Sequence, residues 1–335
     1  LFNPLINLAV NMGIVVLLYI SRSQNAGEIG KLMASVNYMT QVLFALTRIA
    51  NVINVAVRAM ASSARIQEVF DEKPAQPRAE NPLSPEIHGN IKFDNASFAY
   101  AMSAKDSISG ISLTVRAGET LGIIGPTGAG KTTLINLIPR FYDATEGAVY
   151  IDGCNVNSMD EHTLRAAVAV VPQKALLFSG TIRGNLHWGN ADASDEALWD
   201  ALRAAQADGV VQDKKGQLDA AVEPGGRNFS GGQRQRLTIA RALVRRPELL
   251  ILDDSASALD FATDAALRKA LSKLPWKPTV VLISQRVSSI RHADKIVVLD
   301  DGHMAGLGTH TQLQQTCPVY QEICRSQEKG EASAS

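Results

Sequence analysis

The segment GPTGAGKTT, residues 125–133, decides the fold of the larger part of this 335-residue chain. It follows a short apolar run, TLGII (120–124), and precedes a second apolar stretch, LINLIPRF (134–141). The segment fits the pattern G-x-x-x-x-G-K-[ST], in which glycines let consecutive backbone N–H groups surround a phosphate. This pattern requires a strand before the loop and a helix after it. We therefore predict a phosphate-binding loop within an α/β domain.

The pattern also predicts what the last residues of the loop do. Lys131 would place a positive charge on the β- and γ-phosphates of a nucleotide, and the Thr132 hydroxyl would ligate Mg²⁺. The residues predicted to contact the phosphates are Gly125, Pro126, Thr127, Gly128, Ala129, Gly130, Lys131, Thr132 and Thr133.

A second motif, LLILDD (249–254), contains four consecutive large aliphatic residues and ends in two carboxylates. Such a run predicts a fully buried parallel strand. Ligands of open α/β sheets bind at the carboxyl ends of the strands, so we expect Asp253 to lie on the Mg²⁺ side of the site. The alternative is that Asp253 and Asp254 only cap the following helix.

Between these motifs lies FSGGQ (229–233), at the start of an Arg-rich amphipathic helix that Pro247 ends. Together the three motifs make the chain similar to ATP-binding cassette (ABC) transporters of the exporter type, whose signature motif FSGGQ resembles. The resemblance implies an ABC-type P-loop NTPase domain at 91–328, an α/β fold with antiparallel β and helical subdomains, the helical one at about 180–245. It implies ATP and Mg²⁺ as cofactors, and a role in nucleotide binding across a cassette dimer for Phe229, Ser230, Gly231, Gly232 and Gln233.

Further positions follow from the same resemblance. Tyr100 matches the aromatic residue that stacks on adenine, although it is also explained as a strand aromatic at a domain edge. Gln173 matches the glutamine that reaches Mg²⁺ and the attacking water, and 257–260 (SALD) matches the loop that contacts the partner cassette. Ala221 and Pro224 depart from the family's usual acidic loop, which precedes the signature and contacts the membrane domain.

Two substitutions bear on the mechanism. Members of the family that hydrolyse ATP well carry Glu and His where this chain has Asp254 and Gln285. The shorter side chain retracts the general base by about 1.5 Å, and a misplacement of about 1 Å can cost about 10²-fold in rate. The candidate catalytic residues Asp254, Gln285 and Gln173 therefore indicate a site that binds ATP and hydrolyses it slowly. FSGGQ would complete the site of a second half-transporter that carries Glu and His. The alternatives are a slow homodimer and a regulatory nucleotide-binding subunit.

The N-terminal region predicts a membrane segment. Residues 1–21 contain no charge and would span about 32 Å as a helix, close to the thickness of a bilayer's hydrocarbon core. A secretory signal would need a basic start and a cleavage site, and a core helix is rarely apolar on every face. A second apolar segment, about 32–57, continues with helical periodicity past several arginines. It predicts one long helix that leaves the membrane, with an amphipathic surface helix as the alternative. The two resemble the last two of six membrane helices in an N-terminally truncated half-transporter.

The resulting organisation is a partial transmembrane domain at 1–75, a proline-rich linker at 76–90, the cassette at 91–328 and a tail at 329–335. Lys and Arg number 33, as do Asp and Glu, so no basic field predicts a nucleic-acid partner. The arginines after the second span favour a cytoplasmic cassette in a multi-pass protein of the cell membrane. The expected partners are the second half-transporter, the lipid bilayer and an exported substrate (drug, lipid or peptide) that the residues do not identify. A soluble DNA-repair or translation ATPase is disfavoured by the uncharged run.

Overall fold

The computed structural model describes residues 2–21, 29–72, 76–77, 79–101, 103 and 105–332. It divides into two compact units, Leu1–Ala75 and Gln76–Ser335. The boundary falls inside the stretch where four prolines occur within fifteen residues.

The described residues of the first unit form two helices, α1 (Phe2–Ser21) and α2 (Ile29–Asp71). α2 runs unbroken for 43 residues, because no proline or glycine occurs after its second residue and Ala, Leu and Met recur along it. Within the described residues, Gly30–Asp71 is long and apolar enough to cross a membrane by length and composition, and Asn7–Ile20 is a shorter apolar helix. Phe44 and Val55 are 64% and 65% exposed, which suits a lipid or protein environment better than water.

The second unit contains the remaining elements. Its strands are β1 (Ile91–Phe98), β2 (Ile108–Val115), β3 (Thr120–Ile124), β4 (Glu146–Ile151), β5 (Cys154–Asn155), β6 (Val168–Val171), β7 (Gly180–Thr181), β8 (Ala221–Val222), β9 (Leu249–Asp253), β10 (Thr279–Ile283), β11 (Lys295–Asp300) and β12 (His303–Gly308). Its helices are α3 (Lys131–Asn136), α4 (Glu161–Ala167), α5 (Ile182–His187), α6 (Asp195–Ala204), α7 (Asp208–Gln212), α8 (Gly231–Leu243), α9 (Phe261–Leu271), α10 (Val287–Ile290), α11 (His310–Thr316) and α12 (Pro318–Ala332).

The central sheet has the order β12-β11-β3-β10-β9-β6. Its strands from β11 to β6 are parallel, and β12 is an antiparallel edge. All five residues of β9 and of β10 are buried, as the continuous aliphatic run of 249–252 predicts for a parallel strand covered on both faces. A separate antiparallel sheet has the order β2-β1-β4-β5. The predicted α/β class is confirmed.

The segment predicted as a helical subdomain, about 180–245, contains α5 to α8 and the two-stranded ribbon β7–β8. α8 packs its apolar residues against the central sheet and against α6, within one buried cluster that also includes Leu198, Leu202 and Leu237. This cluster fixes where α8 begins, and therefore where residues 230–232 lie.

The proline-rich segment 76–90 was predicted as a linker, and its described part packs on the cassette. The Asp152 carboxylate accepts hydrogen bonds from the backbone N–H groups of residues 88–90 at 2.7, 3.0 and 3.1 Å. Leu83 forms a β-bridge with Met159. Composition alone reveals prolines but not these partners, which lie more than 60 residues later in the chain.

The segment predicted as a tail, 329–335, overlaps the end of the last helix. Residues 329–332 continue α12, and 333–335 lie outside the described residues. Gly330 and the charged residues around it have weak apolar periodicity, whereas the earlier part of α12 is anchored by buried Tyr320 and Cys324.

Candidate functional site

The phosphate-binding loop lies between β3 and α3, as the sequence predicts. Two of its glycines are required by close approach to neighbouring backbone. A Cβ atom on Gly125 would lie 2.1 Å from the Leu299 carbonyl oxygen, and one on Gly130 would lie 2.5 Å from the Ser107 carbonyl oxygen. Gly130 also has a φ of +90°, a conformation that side chains disfavour. The loop is thus packed tightly against β11 and the start of β2.

Lys131 is the cation of the loop. Its Nζ donates hydrogen bonds to the carbonyl oxygens of Gly125 at 2.8 Å and Pro126 at 2.6 Å. Burial lowers the pKa of Lys131, and the charges of Asp254 and Asp253 partly offset that effect. An ammonium group held by carbonyl oxygens and backed by two carboxylates can exchange those partners for phosphate oxygens with little movement of the backbone.

The end of β9 carries the two acidic residues. The Thr132 hydroxyl donates to the Asp253 carboxylate, with distances of 3.0 and 3.3 Å to its two oxygens. Asp253 is 9% exposed, and burial raises its pKa, with the Thr132 hydrogen bond acting in the opposite direction. No group of three or more His, Cys, Asp or Glu side chains in the described part of the chain could by itself hold a metal ion. One hydroxyl and one carboxylate fit Mg²⁺, which commonly takes one or two protein ligands and completes its shell with phosphate oxygens and water.

Asp254 lies beside Asp253 but faces different partners. It adopts a φ of +44°, and its carboxylate accepts a hydrogen bond from Gln173 Nε2 at 3.1 Å. Burial raises the pKa of Asp254, and hydrogen bonds from the Gln173 side chain and the Gln285 backbone act against that rise. Because β6, β9 and β10 are adjacent and parallel, the residues that follow them meet at one edge of the sheet.

A cavity of about 510 Å³ joins these groups. Of the predicted residues it is lined by Tyr100, Thr127, Gly128, Gly130, Lys131, Thr132, Thr133, Gln173, Asp253, Asp254 and Gln285. Gly125 and Ala129 are buried beneath the loop, and Pro126 contributes its carbonyl oxygen to Lys131.

The cavity also includes residues that the sequence did not predict. Lys105 and Asp301 form an ion pair on its wall, next to Ser107. They are 196 positions apart in the chain, and neither belongs to a recognisable motif, so no local signal could have found them.

The comparisons decide the family. A family model described as "ABC transporter" matches residues 108–257, which include the loop, the signature-like segment and the acidic strand. Residues 108–257 of this chain belong to the ABC transporter family. The chain is 39% identical over 332 residues to an uncharacterized ABC transporter ATP-binding protein of Mycobacterium tuberculosis, a match that covers 97% of this chain and 57% of that relative.

Two further similarities extend this result. The chain is 38% identical over 290 residues to a β-(1→2)glucan export ATP-binding/permease protein of Bartonella bacilliformis, covering 85% of this chain and 48% of the relative. It superposes on a bacterial Atm1-family ABC exporter with ATP bound, with a TM-score of 0.82, 30% identity, and coverage of 97% of this chain and 58% of the other. The chain spans about half the length of the curated relatives it matches.

The signature-like segment of this ABC transporter chain forms the first turn of α8. Ser230 caps the helix, because Gln233 N–H donates to its hydroxyl at 3.3 Å and its own N–H donates to Gln233 Oε1 at 2.9 Å. Ser230 and Gly231 are exposed. None of residues 229–233 lines the cavity that the phosphate-binding loop forms within the described chain. The nucleotide-contacting residues predicted for this ABC transporter chain therefore occupy two separate places.

Two aromatic residues from the predicted set are positioned differently. Tyr100 is 39% exposed at the cavity wall, where edge-to-face contacts with Phe98 and Tyr142 hold its ring and its hydroxyl lies 3.2 Å from Thr133 Oγ1. Phe229 is buried in the core of the helical segment, and the Lys214 ammonium lies over its ring. Phe229, which the sequence predicts as a nucleotide contact, has its side chain in this core, directly before the turn that presents Ser230.

Proposed function

We propose that this chain is part of the ATP-binding/permease subunit of an ABC exporter. In such a subunit, ATP binding and hydrolysis at a cassette dimer drive export of a substrate, of the drug, lipid or peptide class, across the cell membrane. One observation carries the proposal: the Thr132 hydroxyl contacts Asp253 in the same cavity as the Lys131 ammonium. The relatives named as export and ATP-binding proteins support it.

The chain's own residues account for nucleotide binding. Lys131 would release the carbonyl oxygens of the loop and contact the β- and γ-phosphates. Thr132 and Asp253 would hold Mg²⁺, which neutralises charge on the transferred phosphoryl group when it is bound there. Tyr100 offers the exposed part of its ring to the adenine, whose π-face stacks on aromatic side chains.

Hydrolysis at this site is proposed to be slow. Burial raises the pKa of Asp254 and so makes the carboxylate more basic. What limits Asp254 as a general base is therefore the short reach of its side chain towards the attacking water. Aspartate is one methylene shorter than glutamate, and its carboxylate is already hydrogen-bonded to Gln173. Gln285 supplies a neutral amide where an imidazole could carry a proton or a positive charge. A loss of about 10²-fold in rate is the scale expected for a base misplaced by about 1 Å.

The exposed turn at Ser230 and Gly231 supports a second role. It lies outside the chain's own cavity, and its Ser side chain and backbone N–H groups suit a phosphate presented by another chain. We propose a second half-transporter, with Glu and His at the positions of Asp254 and Gln285, as that partner. A slow homodimer and a regulatory subunit without net hydrolysis are the competing outcomes.

The test uses the full-length protein purified without a partner. We expect slow ATP turnover, and an increase of at least tenfold in the double variant Asp254→Glu, Gln285→His. The control carries the same chemical changes at exposed positions of the helical segment, Asp213→Glu with Gln212→His. If the unmodified protein already turns over as fast as the double variant, the slow-site proposal is wrong and the homodimer is favoured.

Photolabelling with an azido-ATP separates binding from hydrolysis. We expect label to be retained by the unmodified protein and lost in Lys131→Ala. Absence of labelling in both would refute ATP binding at this site. Retention of label with no hydrolysis in any partnered complex would favour the regulatory subunit.

The location is tested by extraction. We propose a multi-pass protein of the cell membrane with a cytoplasmic cassette, and expect that only detergent releases the full-length protein from membranes. Release by carbonate or high salt would contradict the membrane assignment.

A further inference from the structure

The loop that carries Gln285 is held from outside the site by one side chain of the last helix. Gln327, on α12, donates from Nε2 to the Gln285 carbonyl oxygen at 2.6 Å. Its Oε1 accepts a hydrogen bond from the Val287 N–H at 2.9 Å. A single amide group therefore bridges the backbone on both sides of Arg286, from a position 40 residues beyond Val287.

The bridged backbone leads directly to the reacting end of the cavity. The Asp254 carboxylate accepts a hydrogen bond from Gln173 and lies close enough to the Gln285 backbone for that backbone to lower its pKa. The Gln285 side chain itself lines the cavity. The peptide unit after Gln285, which Gln327 holds, therefore adjoins the residue whose side chain lines the cavity.

The same loop is tied to a second segment. Between the two residues bridged by Gln327, the Arg286 guanidinium donates to the carbonyl oxygens of Ser257 at 3.2 Å and Leu259 at 3.1 Å. Residues 257–260 are the segment expected to contact the partner cassette. The hydrogen-bonded backbone at residues 285–287 therefore links the cavity, this segment and α12.

We propose that Gln327 is a positioning residue for ATP turnover, because it fixes the backbone of Gln285 through its two hydrogen bonds. The proposal rests on the proposed function. It requires an amide, since only an amide offers a donor and an acceptor side by side on a neutral group. Glutamate at position 327 keeps the acceptor for the Val287 N–H but places a second oxygen, instead of an N–H donor, against the Gln285 carbonyl oxygen. Methionine, which has a similar length, can form neither hydrogen bond.

The first measurement is hydrogen exchange of the full-length protein, which needs no ATP. The peptide covering residues 284–290 is expected to exchange at least tenfold faster in Gln327→Met, and by a smaller factor in Gln327→Glu. The matched control is Gln321→Met, on the same helix, because Gln321 Nε2 donates to the Gln314 carbonyl oxygen at 2.8 Å and does not reach the loop. Unchanged exchange in Gln327→Met would overturn the inference whether or not the protein hydrolyses ATP.

The second measurement is turnover in the double variant Asp254→Glu, Gln285→His, where the rate is higher. We expect kcat to fall three- to tenfold in Gln327→Met, less in Gln327→Glu, and not at all in Gln321→Met. The KM for ATP should stay within twofold, because Lys131 and Thr132 are untouched. Equal kcat values for Gln327→Met and its background would overturn the positioning role. A KM that rises by as much as kcat falls would overturn it too, as a sign of general damage.

The two failures are distinguishable. Loss of azido-ATP labelling in the unmodified protein refutes the proposed function but leaves the exchange measurement to decide the inference. Normal labelling and turnover, with exchange and kcat unaffected by Gln327→Met, refutes the inference and leaves the proposed function intact.

Discussion

Replacing Thr132 by valine tests how the site holds magnesium. Thr132→Val keeps the shape of the side chain but removes the hydroxyl that lies 3.0 Å from the Asp253 carboxylate. Hydrogen bonds to charged groups contribute about 1.5–3 kcal/mol. Thr132 is exposed to the cavity, so water replaces part of the loss and we expect about 1–2 kcal/mol. At about 1.4 kcal/mol per tenfold, the affinity for ATP in the presence of Mg²⁺ should fall about 5- to 30-fold.

The assay is isothermal titration of ATP with Mg²⁺ and with EDTA. Wild-type protein should bind ATP more tightly with Mg²⁺, and Thr132→Val should lose most of that difference while its affinity in EDTA hardly changes. Thr132→Ser retains the hydroxyl and serves as the control. Full magnesium dependence in Thr132→Val would refute the assignment of the hydroxyl as a ligand.

Thr132→Val should also change how magnesium binding and the free energy of unfolding depend on pH. Burial raises the pKa of Asp253 above 3.8, and the Thr132 hydrogen bond restrains that rise, so Thr132→Val should raise it further. Since Mg²⁺ needs the ionised carboxylate, its effect should disappear at a higher pH in the variant as the solution is acidified. A carboxyl with a raised folded-state pKa contributes stability that is lost as pH rises through that value. The variant's deficit in unfolding free energy should therefore be larger at pH 7.5 than at pH 4.5, as urea denaturation would show.

Three further predictions concern the loop, the packed linker and the signature turn. Gly130→Ala places a Cβ 2.5 Å from the Ser107 carbonyl oxygen at a φ of +90°, so azido-ATP labelling should be abolished; normal labelling would contradict this loop geometry. Asp152→Asn should cost about 1–2 kcal/mol in urea denaturation at pH 7 because three backbone donors lose a charged acceptor. Burial by itself would raise the pKa of Asp152, but these hydrogen bonds together lower it. The stability that the ionised carboxylate contributes is therefore lost as pH falls through the lowered pKa. A stability deficit of Asp152→Asn that does not change with pH would contradict this prediction. Ser230→Ala should remove about 1 kcal/mol of capping and reduce turnover of the partnered complex, whereas Ser194→Ala, at the cap of α6, should lower stability alone.

Local sequence motifs predicted much of the candidate site. The pattern at 125–132 requires its own strand, turn and helix, so the sequence alone placed Lys131 and Thr132 correctly on the loop and at the start of α3. The aliphatic run before Asp253 predicted a buried strand for the same reason, because a strand covered on both faces must be apolar throughout.

Contacts between distant segments could not be predicted in this way. The pairing of Lys105 with Asp301 joins residues from different sheet edges, and nothing in either segment marks the other. The same holds for Asp152, whose carboxylate turns a proline-rich segment into a packed part of the cassette. Phe229 shows the opposite case, since a motif residue expected at the nucleotide is buried in the core.

The phosphate-binding and helix-capping residues of this protein could be predicted from short segments of its sequence, because both features depend on neighbours within a few residues. That α2 is one long helix could be predicted for the same reason, because apolar periodicity and the absence of helix breakers are local properties of the sequence. Only the tertiary structure decided which side chains share the cavity, that Ser230 lies outside it, and that Gln327 holds the loop of Gln285. Those arrangements arise from the order of strands in the parallel sheet and the packing of α8 and α12, which no local pattern encodes.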